Sequence, residues 1–343
     1  MIWLTLLALL PLVGGIVAGL VRGRAGRTVG LLVSLVTLAL AGYLAVLHLS
    51  GTDLSEQVPW IPAFGAYYAL SLDGMGLLMV LLTALLVPVV LIAERHRDDE
   101  GRWSASTFTA LVLVLESFAL YVFLAADVLV FYIVFEVTLI PMYFLIAGWG
   151  GPERARAAVK FLLYSLAGGL VMLFGVVGLG FAAAQNGLPS YLLSDLTQVG
   201  MSPWLQTVLF WSFFVAFAIK APMVPVHTWL PSTAEQASPG TSTLLVGILD
   251  KIGTFGMIKF CLALFPAASA RFAPYIVALA VVSILYGAIA AIGQRNLYRL
   301  VAFTSVSHFG FMVLGIFVFT TASVQGSVIY MLNHGFSTAV LFL

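Results

Sequence analysis

Long apolar runs separated by short polar segments set the plan of this chain. A membrane-spanning helix needs about 20 mostly apolar residues. Windows of that length fall at 1–21, 28–49, 74–93, 104–124, 127–148, 157–184, 204–238, 241–265, 272–293, 297–320 and 324–343, which predicts eleven spans. The seventh window is too long for one straight helix and carries Pro222, Pro225 and Pro231, with Pro239 just beyond its end. Proline removes a backbone donor and clashes with the preceding turn, so a broken or re-entrant span is expected there. Its freed backbone groups must then be buried in protein or line a wet cavity. The eleventh window runs to Leu343 with no polar flank, which reads as a fragment whose later spans are missing.

Composition agrees with this polytopic all-α membrane reading. The 343 residues are 62% hydrophobic and 8% charged, against about 25% charged in soluble domains. A net charge of +1 argues against a nucleic-acid partner. The single cysteine, Cys261, can form no internal disulfide. No basic segment precedes the first apolar run, so that run is read as a retained span rather than a cleaved leader.

Basic residues mark cytoplasmic loops. Arg22, Arg24 and Arg27 lie between spans 1 and 2, Arg95, Arg97 and Arg102 between 3 and 4, Arg154, Arg156 and Lys160 between 5 and 6, and Arg295 and Arg299 between 9 and 10. Eleven of the fifteen basic residues thus fall on one side. The opposite loops hold Asp53, Glu56, Asp127 and Asp195, with Arg271 the exception. The N-terminus is therefore expected to face away from the cytoplasm. Trp60, Trp103 and Trp204, near span ends, read as interfacial anchors.

Within the apolar windows stand Glu116, Glu136, Lys220, Asp250, Lys251, His308 and His334. Ionisable groups at membrane depth cost several kcal/mol and persist mainly where they carry ions or protons. At about 1.5 Å of rise per residue, Glu116, Glu136, Lys251, His308 and His334 each lie roughly 15 Å deep, with Lys220 a little deeper. Such a row runs parallel to the membrane, which a pore along the normal would not need. Burial disfavours the charged form of each type, while pairing a Glu with a Lys favours it. A Glu136–Lys220 pair that opens and closes is therefore a proton-affinity switch, with Lys251 and the histidines passing protons onward.

Plainer readings stand beside these. Glu116 and Glu136 could join helices by hydrogen bonds, although a neutral amide would do so at lower desolvation cost. Lys251 could be structural; Asp250 precedes it directly, and neighbouring helix positions point apart, so a mutual ion pair is not expected and Asp250 is the more doubtful of the two. His227, in the proline-rich break, either satisfies freed carbonyls or moves protons. His308, between Ser305 and Phe309, could belong to a serine hydrogen-bond network with Ser307. His96, in the charged loop from Glu94 to Arg102, reads as solvated and silent. No glycine-rich nucleotide loop, P-loop or cysteine cluster is present, so NAD, ATP, flavin, iron–sulfur clusters and zinc are not expected on this chain.

Three segments carry a resemblance. They are Phe131-Tyr132-Ile133-Val134-Phe135-Glu136-Val137-Thr138-Leu139-Ile140-Pro141-Met142-Tyr143, Lys220-Ala221-Pro222-Met223-Val224-Pro225-Val226-His227-Thr228-Trp229-Leu230-Pro231, and the stretch around Ser305-Val306-Ser307-His308-Phe309-Gly310. Together they resemble the antiporter-like membrane subunits of respiratory complex I, the NADH-quinone oxidoreductase, most closely its M-type branch in actinobacterial form. The resemblance implies that Glu136 is the switch glutamate, Lys220 its partner on the broken span, and Lys251 the central lysine. It also places Glu116, His308 and His334 along a hydrated axis. It implies spans 1–3 over residues 1–103, a first inverted repeat over 104–265, and a truncated second repeat over 266–343. Proton pumping would be driven by NADH, FMN, iron–sulfur clusters and quinone in partner subunits, with L-, N- and K-like membrane neighbours in a plasma membrane. A multisubunit cation/proton antiporter subunit and a hydrogenase-type membrane scaffold remain alternatives. Two positions depart from the usual pattern: Ser232, where an aspartate is common, and Asn296-Leu297-Tyr298-Arg299, in place of acid-x-Lys-Arg.

Overall fold

A computed structural model describes residues 2–21, 23–96 and 103–343. Arg22, Arg97 and Arg102, three of the orienting arginines, lie outside the described residues, as does most of the loop assigned to solvent around His96. The chain folds into helices α1 (Trp3–Val21), α2 (Gly23–Leu49), α3 (Gly74–Ala93), α4 (Ala105–Leu124), α5 (Val128–Val137), α6 (Leu139–Gly148), α7 (Arg154–Gln185), the short α8 (Leu193–Leu196), α9 (Pro203–Lys220), α10 (Trp229–Gln236), α11 (Pro239–Leu244), α12 (Lys251–Gly256), α13 (Pro266–Ile292), α14 (Leu297–Phe317) and α15 (Thr321–Phe342). Among the described residues, nine helical segments, with α5 and α6 taken as one, are long and apolar enough to cross a membrane. The two remaining expected windows, 241–265 and 324–343, are helical as well but fall outside those nine.

The seventh window breaks where its prolines predict. Helix α9 stops at Lys220, the chain turns through 221–228, and α10 resumes at Trp229. Two further irregularities were not expected. Span 5 is interrupted at Thr138, whose hydroxyl donates to the Phe135 carbonyl at 2.7 Å, and Pro141 has no N–H to continue the ladder. Span 8 holds two π-helical turns, Leu245–Leu249 and Met257–Leu262, on either side of α12. Such turns widen a helix and expose carbonyls, and they are frequent at functional sites.

A β-hairpin between spans 2 and 3 also went unpredicted, with β1 (Ser55–Ile61) antiparallel to β2 (Ala66–Ser71). Glu56, Gln57 and Pro59 disguise β1, since neither charge nor proline favours a strand. Its turn needs Gly65 at φ 67°, where a Cβ would also strike the Pro189 backbone. Glu56 caps α1, accepting from the backbone N–H groups of Leu4 and Thr5 at 2.7 and 3.1 Å. Asp127 anchors the other strand, accepting from Tyr67 N–H at 2.9 Å and capping α5 through Leu129 and Val130. Burial raises the Asp127 carboxyl above its ordinary range, with these three N–H groups opposing. Of the expected interfacial tryptophans, Trp60 and Trp204 are exposed, whereas Trp103 packs edge-on against Trp149 and Phe144.

Helices pack in the neighbour pairs α1–α4, α7–α9 and α13–α14. Where α5, α9 and the second π turn of span 8 meet, the core is aromatic, with Phe131, Phe135, Phe213, Phe217 and Phe260 in mutual ring contact. The titratable side chains are set into that core.

Candidate functional site in the broken and widened helices

The break at the end of α9 is held by side chains that replace the lost helical bonds. Trp229 Nε1 donates to the Ile219 carbonyl at 3.0 Å, and Val224 N–H donates to Ser283 Oγ at 2.9 Å. An unmet buried carbonyl or N–H would cost about 1–3 kcal/mol. On the far side of the break, Lys160 donates to the Thr228 carbonyl at 2.6 Å and to Ser232 Oγ at 3.0 Å. Tyr164 Oη shares a hydrogen bond with Thr228 Oγ1 at 2.8 Å. The departure at Ser232 is thus filled by a neutral partner for Lys160. The second departure is likewise occupied: Asn296 caps α14, and Arg299 pairs with Glu235 at 2.9 Å.

Lys220 ends α9 and is 1% exposed. Its ammonium has no hydrogen-bond partner among the described residues and lies over the faces of Phe135 and Phe161, at 5.2 and 5.6 Å from the ring centres. Such cation–π contacts contribute about 0.5–2 kcal/mol. Glu136 is within electrostatic reach of Lys220, but the expected pair is open: Glu136 Oε1 has no hydrogen-bond partner either. The Glu136 carboxylate instead lies against Gly169 of α7, where any Cβ would overlap it. The two groups are therefore within electrostatic reach of each other without an ion pair.

Lys251 is fully buried at the start of α12. The π turn before it leaves the Val246 carbonyl free, and Lys251 Nζ donates to it at 2.5 Å. The same nitrogen meets His334 Nδ1 of α15 at 2.7 Å. His334 Nε2 lies 3.2 Å from Ser305 Oγ, whose hydroxyl donates to the Val301 carbonyl at 2.9 Å. That chain of bonds assigns the His334 proton to Nε2 and leaves Nδ1 to accept from Lys251. The His308 and His334 rings are 5.2 Å apart, and His308 Nδ1 meets Tyr330 Oη at 2.5 Å. Ser305 and Ser307 do not serve His308; Ser307 bonds the Ile284 carbonyl. Lys251, His334 and His308 thus form a contiguous group.

Glu116 and His227 stand apart from it. Glu116 is 1% exposed on α4, and neither of its oxygens has a hydrogen-bond partner among the described residues. His227, buried in the break, packs against the Tyr286 and Phe303 rings, and its Nδ1 is unpartnered, so that nitrogen satisfies no freed carbonyl.

Sequence reading gave no role to Lys160 or Lys259 and discounted Asp250. Lys160, assigned to a loop, stands inside α7 and holds the break. Lys259, inside the eighth window, is buried in the second π turn and pairs with Asp73 at 3.3 Å. Asp250, rated doubtful, is fully buried and within electrostatic reach of both Lys251 and Lys220. A lysine or carboxylate inside an apolar window was the available signal for each.

Comparison with known proteins places this architecture. Residues 125–343 match the family model described as NADH:quinone oxidoreductase/Mrp antiporter, TM. The chain is 43% identical over 380 aligned positions to NADH-quinone oxidoreductase subunit M of Mycobacterium tuberculosis, covering 99% of this chain and 69% of that protein. A chain of respiratory complex I from Thermus thermophilus superposes with a TM-score of 0.90 at 33% identity, covering 99% of this chain and 70% of that one. A chain of the Mrp complex from Dietzia sp. DQ12-45-1b superposes with a TM-score of 0.84 at 25% identity, covering 99% of this chain and 37% of that one. A split helix ending in a buried lysine, a second buried lysine bound to histidine, and these likenesses lead to one assignment: the chain belongs to the NADH:quinone oxidoreductase/Mrp antiporter transmembrane family.

Proposed function

We propose that this chain is the M-type, proton-translocating membrane subunit of an NADH-quinone oxidoreductase. The observation that carries the reading is the contiguous group Lys251–His334–His308, approached by the open Glu136–Lys220 pair. Closing the Glu136–Lys220 pair stabilises both charges; opening it leaves Lys220 in an apolar site, where it sheds its proton more readily. The proton then passes toward Lys251 and on to His334 and His308, with Glu116 and His227 serving the same hydrated axis. Residues 104–265 and 266–343 act as a first repeat and the start of a second, behind an N-terminal unit of residues 1–103.

NADH, FMN, iron–sulfur clusters and quinone would be held by partner subunits, so redox energy reaches this chain through L-, N- and K-like neighbours. The chain crosses the plasma membrane many times, with its N-terminus away from the cytoplasm, as the basic clusters at Arg24, Arg27, Arg154 and Arg156 argue.

The test is Glu136→Gln and Lys251→Met in the full-length subunit, purified as a complex and reconstituted in vesicles. Both variants should assemble with flavin and iron–sulfur absorbance, and both should lose NADH-driven proton uptake. Normal pumping by either assembled variant would sink the reading. A complex without redox centres that exchanges cations for protons would move the assignment to an antiporter.

A further inference from the structure

We infer that Asp250 is a proton carrier between Lys220 and Lys251, the step by which the charge on the broken helix reaches the central lysine; the inference rests on the proposed pumping role.

Geometry brings Asp250 there. Helix α12 closes unusually tightly onto the end of α9, because a Cβ on Gly253 would lie 2.5 Å from the Ala221 nitrogen and 2.6 Å from the Phe217 carbonyl. Gly256, one turn on, is similarly pressed against the Phe217 ring. That approach sets the first residues of α12 beside the last residue of α9, which is Lys220. The preceding π turn fixes the Asp250 backbone, whose N–H bonds the Leu245 carbonyl at 3.0 Å. Asp250 is 0% exposed, and neither carboxylate oxygen has a hydrogen-bond partner among the described residues. Lys220 Nζ is equally unpartnered. Buried polar atoms are almost always satisfied. Asp250 and Lys220, unsatisfied groups of opposite charge on helices in close contact, are suited to exchange a partner during work rather than hold one at rest. Asp250 is within electrostatic reach of both Lys220 and Lys251.

The transfer balances without any further reactant. The Lys220 ammonium gives one proton to the Asp250 carboxylate, leaving a neutral amine and a neutral acid. The acid then gives that proton to the neutral Lys251 amine, restoring the carboxylate and forming the ammonium that donates to His334 Nδ1. No uncompensated charge is left in the apolar core at either stage, which is the advantage of a carboxylate over an amide here.

The experiment is Asp250→Asn in the full-length complex, beside Glu136→Gln, Lys251→Met and Asp250→Glu in the same preparation. The asparagine keeps the shape and cannot carry the proton. NADH-driven proton uptake should fall about 100-fold, the lower end for a lost proton-transfer group, and the glutamate should restore most of it. Wild-type uptake by assembled Asp250→Asn, with Glu136→Gln and Lys251→Met inactive, would overturn this inference alone. Normal uptake by all of them would overturn the pumping assignment itself. Should Asp250→Asn fail to assemble, infrared difference spectra of wild type and Asp250→Glu decide the question. A protonated-carboxyl band that appears on turnover and moves with the added methylene supports the relay, and no such band refutes it.

Discussion

The ammonium of Lys251 is hydrogen-bonded directly to His334 Nδ1, at 2.7 Å, across the contact between α12 and α15. An ammonium can only donate, so the charged lysine makes this bond only when the imidazole nitrogen is unprotonated and accepting. The bond therefore couples the charge on one side chain to the protonation of the other. In His334→Gln the side-chain oxygen can still accept from Lys251, but it cannot take up and release a proton. Full-length complex carrying His334→Gln or His334→Ala should assemble and pump about 100-fold more slowly, the lower end of the range for losing a proton-transfer group. A glutamine variant that pumps normally would reduce His334 to a hydrogen-bond prop.

Gly169 provides the space in which the Glu136 carboxylate lies. Adding one methyl there forces the carboxylate to another rotamer and alters its separation from Lys220, without touching either charge. Gly169→Ala should leave assembly intact and slow proton uptake about ten-fold, since small misplacements of reacting groups are costly. Gly168→Ala is the matched control, because its nearest new contact is the flexible tip of Ile219 at 3.2 Å. Equal rates for the two variants would show that the carboxylate position does not matter.

Asp127 ties the hairpin to the start of span 5 through three backbone N–H groups. Asp127→Ala should cost about 1–2 kcal/mol, as for a lost helix cap, read as a lower unfolding temperature of the purified complex. Because burial raises this carboxyl in the folded state, the folded chain holds the proton more tightly than the unfolded chain does. The contribution of Asp127 to stability should therefore decline as pH rises from the ordinary carboxylate range to its raised value, and level off above. A melting profile of the Ala variant parallel to wild type across that range would contradict this.

Much of the fold was legible because a bilayer reads chains by length and apolarity. The window 204–238 announced its break through Pro222, Pro225 and Pro231, and Lys220 was found at the end of the first half. Lys251, His308 and His334 could be singled out by cost alone, since an ionisable group in an apolar window is rare without a task. The Ser55–Ser71 hairpin was not legible, because its strand pattern is masked by Glu56 and Pro59 and it is held by caps to distant helices. The interruption at Thr138 and the π turns around α12 were not legible either, as both depend on which carbonyls find partners in neighbouring helices.

By itself, then, the sequence determined a many-helix membrane chain, a split seventh helix and a short set of costly charges. Hydrophobic length, proline chemistry and the price of burying charge act locally along the chain. Only the tertiary structure decided which charges meet. It joined Lys251 to His334, left the Glu136–Lys220 pair open, left Glu116 and His227 aside, and buried Asp250 within electrostatic reach of both lysines. Those outcomes follow from close helix contacts at Gly169, Gly253 and Gly256 and from carbonyls freed in a π turn, and such contacts relate residues that are far apart in sequence.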